Sequence, residues 1–380
     1  MNPSRTAQTI QPFLVMDIME KANTMAAAGS DVIHLEVGEP DFDTPECIRN
    51  ASIDAMAGGK THYTDSLGIP ELRQAIAEHY AKTYGVSVDE DRIVVTAGSS
   101  PCLLMAIACL VDAGDEVMMT DPYYACYPNF VKVLGARPLL VSTGSTDGFQ
   151  LSPEKVAGKL SKTTRALIVN SPANPTGVCL DVAHMKALAR LPVPIISDEI
   201  YHGLVYDSQQ HTMLEFTDNV IVINGFSKAY AMTGWRLGWA VFPKVLIRSV
   251  QKLQQNLMIC APSIAQWGGV AALREAGPDV AEMHRTFARR RRVMLAEMAR
   301  HGFNVEVEPT GAFYVLVNMR RYTMDSRSFA LEILEHTGVG VTPGIDFGPG
   351  AEGYIRFSYA NAEKNIVDGI SRVAAYLKAL

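Results

Sequence analysis

Five short apolar runs in the middle of the chain each end in residues equipped for acid–base or binding chemistry. Arg92–Thr96 leads into Ala97-Gly98-Ser99-Ser100, and Glu116–Thr120 into Asp121-Pro122-Tyr123-Tyr124. Ala166–Asn170 continues as Ser171-Pro172-Ala173-Asn174-Pro175-Thr176-Gly177, Val193–Ser197 as Asp198-Glu199-Ile200-Tyr201, and Val220–Asn224 as Gly225-Phe226-Ser227-Lys228. In an open parallel sheet, ligands bind outside the carboxyl ends of the strands. Any one polar loop is unremarkable. Acid, amide, phenol and amine groups at five consecutive strand ends point to one shared site.

The elements that must position these groups follow from the pattern. The runs are apolar without strict alternation, as expected of strands covered on both faces, and they alternate with helix-like segments. With Leu237–Phe242 they give at least six strands of a mostly parallel α/β sheet. Pro70 suits a first helical turn, and Leu72, Ile76 and Tyr80 share one face of the helix it opens. Val245–Glu275 and Val280–Arg300 are expected as long helices, and Phe303–Leu380 as a second, α+β domain.

Composition narrows the function. The 380 residues are 48% hydrophobic and 19% charged, which excludes a disordered or low-complexity chain. A net charge of −6 argues against nucleic acid or anionic lipid as partner. The six cysteines (Cys47, Cys102, Cys109, Cys126, Cys179, Cys260) show no CxxC pair and no metal-ligand spacing, and are expected as buried free thiols in a reducing compartment. No secretory pattern opens the chain, and the longest apolar run, Cys102–Val111, is too short for a membrane span. A cytoplasmic protein without a metal site is expected.

Three short motifs fail on context. Gly348-Pro349-Gly350-Ala351-Glu352-Gly353 matches GxGxxG, but no strand of a βαβ unit precedes it and the strand-like Tyr354–Ala360 follows. Gly59-Lys60-Thr61 resembles the end of a P-loop, yet Asp54 occupies the required glycine position. Arg289-Arg290-Arg291-Arg292 lies in a helical pattern and reads as a solvated face or an interdomain contact.

Four segments carry a family resemblance. Gly225-Phe-Ser-Lys228-Ala-Tyr-Ala-Met-Thr-Gly-Trp-Arg236-Leu-Gly238 resembles the lysine signature of class I/II pyridoxal-phosphate aminotransferases of the aspartate aminotransferase type, fold type I. Gly38-Glu-Pro-Asp-Phe-Asp-Thr-Pro45, Asn170–Gly177 and Ser197–Tyr201 resemble three further motifs of that family, in its order and spacing. The resemblance runs from about residue 10 to the C-terminus. It implies a large domain with a mostly parallel seven-stranded sheet sandwiched by helices, and a smaller α+β domain formed by the two chain ends. The expected division is residues 1–40 as N-terminal arm and part of the small domain, 41–280 as the cofactor domain, and 281–380 as the small domain.

The resemblance also implies roles. Lys228 is the Schiff-base lysine and the proton shuttle between substrate Cα and cofactor. Asp198 faces the pyridine nitrogen and keeps it protonated. Tyr201 and Asn174 bond the cofactor's phenolate oxygen. Ser99 and Ser100 at a helix start, Ser227 and Arg236 hold the phosphate. Gly225 stands where many relatives carry Ser or Thr. Tyr124 stacks on the ring, where several relatives carry Trp. Arg356, with the backbone of Gly38, takes the α-carboxylate. Tyr63 reaches the phosphate of a neighbouring subunit, which makes the unit a homodimer.

The implied reaction is ping-pong transfer of an amino group between an L-amino acid and a 2-oxo acid. No Lys lies in Gly98–Ser100 and Phe13-Leu-Val-Met16 is apolar, so the donor leans to alanine, aromatic or other apolar amino acids, away from strict aspartate specificity. The alternative is a C–S β-lyase on the same scaffold with the same cofactor. A ligand sensor fused to a DNA-binding domain finds no room in the short stretch before Gly38, and a nicotinamide enzyme would rest on Gly348–Gly353 alone.

Overall fold

The computed structural model describes residues 1–380. Twelve strands form three sheets. They are β1 (Ile33–His34), β2 (Ile93–Thr96), β3 (Glu116–Asp121), β4 (Arg137–Ser142), β5 (Thr164–Asn170), β6 (Ile195–Asp198), β7 (Val220–Gly225), β8 (Gly238–Val241), β9 (Tyr314–Asn318), β10 (Val339–Gly340), β11 (Thr342–Pro343) and β12 (Tyr354–Ser358). The central sheet has seven strands in the order β2-β8-β7-β6-β5-β3-β4, parallel except for β8, which runs against both neighbours. Helices cover both of its faces, so the middle strands β6 and β7 are buried along their whole length. That double burial is why their sequences are unbroken apolar runs.

Six of the seven strands coincide with the expected runs. The additional one, β4, lies at the sheet edge, with Arg137 and Ser142 exposed and Pro138 inside it. Proline cannot donate to a ladder and is tolerated only at such an edge, so the pattern there is weak.

The single long helix expected over Val245–Glu275 is two helices, Ile247–Leu257 and Ser263–Arg274. Pro262 lacks the N–H a continuous helix needs and disfavours helical geometry in the residue before it, and Ile259 turns to a φ of +67°. The helix Gly277–His301 follows. Within it, Arg290 pairs with Asp41 through two hydrogen bonds of 2.6 and 2.9 Å, and Arg291 bonds Asp207 and the Pro309 carbonyl. The arginine run is thus mainly a contact between distant parts of the chain.

The two chain ends build a second core. β9, β11 and β12 form an antiparallel sheet, and β1 pairs with β10. Ile18 and Ala22 of the helix Leu14–Ala27, with Ile33 and Leu35, pack among Phe329, Ile333, Ile355 and Ile370. Gly348–Gly353 forms tight turns docked on β3, with Gly350 N–H donating to Asp121 Oδ1 at 2.8 Å. All six cysteines are free, but only Cys102 is buried, which corrects the expectation for the other five: they sit at element ends and loops where packing is partial. No helix is long and apolar enough to cross a membrane.

Candidate active site

A cavity of about 350 Å³ opens at the carboxyl ends of the central strands, between the two cores. Ser99, Ser100, Tyr124, Asn174, Asp198, Tyr201, Ser227, Lys228 and Arg236 line it, together with Gly38 and Arg356 from the chain ends. Eleven of the twelve residues singled out in the sequence therefore share one wall. Tyr63 does not: its side chain is exposed by 81%, beside Met258–Pro262 on the outer surface.

Lys228 follows β7, and its Nζ donates to the Gly38 carbonyl at 2.5 Å. Burial lowers its pKa to about 8; Glu39 and Asp198 oppose that shift, while Arg356 and Arg236 add to it. A substantial neutral fraction at mild pH makes the amine both a nucleophile and a base.

Asp198 ends β6 and is 4% exposed. Its carboxylate accepts from Tyr127 Oη at 2.6 Å and from Ile200 N–H at 3.2 Å. Burial nevertheless raises its pKa to about 6. Lys228 acts on it only from a distance, and no cation is in ion-pair contact with it.

The opposite end of the cavity is built for an anion. Gly98, at φ +94°, precedes the helix Ser99–Ala108, whose first N–H groups have no partner in their own helix. Arg236 lies against this turn: a Cβ on Gly98 would stand 2.6 Å from Arg236 Nη2. At Gly225 a Cβ would stand 3.1 Å from Ile200 Cδ1 and 3.2 Å from Gly238 Cα, so a side chain there would need β7, β8 and Ile200 to give way by a few tenths of an ångström.

Arg356, in the middle of β12, is 2% exposed. Its Nη1 donates to Asn174 Oδ1 at 2.8 Å, and its Nη2 to the Glu36 carbonyl at 2.6 Å and Thr342 Oγ1 at 3.0 Å. Its Nε is buried with no partner. An unpaired guanidinium edge in a buried wall costs free energy unless a ligand oxygen meets it. Asn174 is fixed in turn, its N–H donating to Asn170 Oδ1 at 2.8 Å.

Sequence reading missed Tyr127, Tyr314, Asn170, Glu39 and Thr233, all in the cavity wall. Asn170, Glu39 and Thr233 sat within quoted motifs, and Tyr127 lies three residues beyond Tyr124, so these four had a positional signal. Tyr314 opens an apolar strand far along the chain and had none. Tyr124 itself packs edge-on against Phe13 and Tyr127, with ring centroids 6.1 and 5.4 Å away.

Residues 30–372 match the family model for aminotransferase class I and II. The chain belongs to that family. Its fold and its motifs agree: the chain is 42% identical to a (5-formylfuran-3-yl)methyl phosphate transaminase of Methanocaldococcus jannaschii, over 98% of this chain and 99% of the relative. It is 37% identical to a valine–pyruvate aminotransferase of Mycobacterium tuberculosis, over 97% of each. Among solved structures, the aspartate aminotransferase of Thermus thermophilus with maleate superposes with a TM-score of 0.94, at 36% identity over 99% of each chain. This aminotransferase is therefore a transaminase of a pyridoxal-phosphate-dependent family. The cavity fits that cofactor on its own chemistry: an anion cradle at a helix start, a buried carboxylate with no ion pair, and an amine of lowered pKa in the same wall.

Proposed function

We propose that this aminotransferase takes alanine, aromatic or other apolar L-amino acids as amino donors in preference to aspartate, and works as a homodimer. One observation carries the donor assignment. The cavity wall holds three cations, Lys228, Arg236 and Arg356, and each has a task that leaves none for a second carboxylate. The remaining wall includes Phe13, Val15, Met16, Met19, Leu103 and Ile200, against which an apolar side chain gains roughly 25 cal/mol per Å² buried. The relatives' named substrates differ from one another, so kinship alone does not choose among donors.

Bound pyridoxal phosphate supplies an aldehyde that takes up the amino group and a ring that withdraws electrons from the substrate Cα. Everything else falls to the chain. Ser99 and Ser100 N–H, the Ser227 hydroxyl and Arg236 bind the phosphate. Asp198 holds a proton on the ring nitrogen, and that positive charge relieves its own buried carboxylate. Tyr124 would offer its ring to the cofactor's. Tyr201 and Asn174 orient it through its oxygen substituent. The Arg356 fork, with its free Nε, and the Gly38 N–H fix the substrate carboxylate. With the cofactor bound, Lys228 Nζ would be the group that takes the proton from the substrate Cα and returns it.

The dimer reading rests on Tyr63, which is exposed by 81% beside Met258 and Pro262; Ile53, Met56, Leu257 and Ile259 are further exposed apolar side chains. Measuring kcat/KM for phenylalanine, alanine and aspartate with a common 2-oxo acid tests the donor class. Higher values for the first two support it, and aspartate in the lead refutes it. Stoichiometric pyruvate and ammonia from cysteine without any acceptor would instead mark a C–S β-lyase.

A further inference from the structure

Tyr314 is the first residue of β9 and is 1% exposed, yet it touches the machinery on three sides. Its hydroxyl lies 2.8 Å from the Tyr201 hydroxyl. Its ring lies under Arg356, with the guanidinium carbon 4.2 Å from the ring centroid. Its hydroxyl also abuts Gly38, where an added Cβ would come within 2.6 Å. One side chain thus meets Tyr201, Gly38 and Arg356, and burial of a phenol without function would favour phenylalanine at this position.

We propose that Tyr314 is a dual positioning residue: its hydroxyl fixes the donor direction of Tyr201 toward the cofactor, and its ring fixes Arg356 for the substrate carboxylate. The inference rests on the roles given above to Tyr201 and Arg356. Two phenols 2.8 Å apart have two hydrogens between them; one makes the bond that joins them, and only the phenol that accepts that bond keeps its own hydrogen to give elsewhere. When Tyr314 donates to the Tyr201 oxygen, the Tyr201 hydrogen is committed outward, to the cofactor's ring oxygen. The ring below Arg356 does different work. It offers a π-face to a guanidinium whose Nη atoms are already engaged, and leaves the Nε edge for the ligand. The two tasks reside in different atoms of one side chain, so they separate by substitution.

Donation to the ring oxygen weakens its hold on a neighbouring proton, so the visible band of the bound cofactor titrates at lower pH when the donor is held. The test uses the cofactor-loaded enzyme and two readouts: the pH midpoint of that band, and the dissociation constant of 3-phenylpropionate, an unreactive monocarboxylate, followed by its perturbation of the band. Tyr314→Phe is expected to raise the midpoint by about half to one pH unit while leaving 3-phenylpropionate affinity within about twofold. Tyr314→Leu is expected to weaken 3-phenylpropionate about tenfold or more. Tyr201→Phe and Arg356→Lys serve as references. If Tyr201→Phe moves the midpoint and Tyr314→Phe does not, the hydroxyl half of the proposal is overturned. If Arg356→Lys weakens the probe and Tyr314→Leu does not, the ring half is overturned. Should the two reference variants leave both readouts unchanged, the roles of Tyr201 and Arg356 themselves fall, and the proposal with them.

Discussion

Tyr127 donates its phenolic hydrogen to Asp198 Oδ2 across 2.6 Å, from the helix Tyr127–Val133 to the end of β6. Both groups are buried, Tyr127 at 1% and Asp198 at 4% exposure. The bond partly offsets the burial that drives the Asp198 pKa upward. Asp198 can serve as an ionised partner for a ring nitrogen only if something other than water stabilises its charge.

Tyr127→Phe is therefore expected to lower kcat roughly tenfold and to loosen the cofactor by a similar factor, each equivalent to about 1.4 kcal/mol. Equilibrium dialysis of pyridoxal phosphate against the variant, with steady-state kinetics, checks both. Unchanged values would mean that the hydrogen bond contributes nothing to the charge on Asp198.

A second prediction concerns pH. Glu199, beside Asp198, receives Ser197 Oγ, Thr212 Oγ1 and Met213 N–H on one carboxylate oxygen, and burial raises its pKa to about 8 from 4.5. Between those values the folded protein keeps a proton that the unfolded chain has released, so this group makes stability fall as pH rises from 4.5 to 8. His202 and His79 act oppositely. Burial lowers them to about 3 and about 4, so the unfolded chain takes up protons below 6.5 and stability is lost as pH falls through that range. From pH 6.5 to 8 the Glu199 effect is about 1–2 kcal/mol; His34, raised by its hydrogen bond to Glu36, acts in the same direction, and Lys228, lowered by burial, begins to oppose both near pH 8. Urea titrations of the apoenzyme should show this decline in the wild type and a clearly shallower one in Glu199→Gln. A parallel decline in both would place the titration elsewhere.

Subunit complementation addresses Tyr63. If Tyr63 completes the site of the partner, mixing Lys228→Ala and Tyr63→Phe subunits creates one site with both defects and one with neither. At limiting cofactor, the mixed dimer should exceed the activity of each parent dimer. Strict averaging of the two parents would contradict a shared site.

How far the sequence disclosed this depended on where the information lay. The strand ends of the central sheet were legible because burial on both faces leaves polar residues only where a ligand meets them, and Asp198 and Lys228 stand out for that reason. β4 was hidden by its exposed edge and Pro138, and the helix break at Pro262 by the neighbours Met258–Ala261, which look helical in composition. Tyr314 and Tyr127 resemble core aromatics until the fold brings Tyr201 and Asp198 against their hydroxyls, a pairing across 113 and 71 residues of chain. No local pattern encodes contacts of that range.

The central claim is that Lys228, in this cavity, moves amino groups from apolar amino acids. The most direct measurement is the visible spectrum of the cofactor-loaded enzyme, mixed with one L-amino acid at a time and no acceptor, with Lys228→Ala beside it. The account predicts that phenylalanine or alanine converts the band to the amine form of the cofactor and releases one equivalent of 2-oxo acid per site. Aspartate should act more slowly, and the variant should not respond. Full conversion by aspartate alone, or turnover in Lys228→Ala, would contradict it.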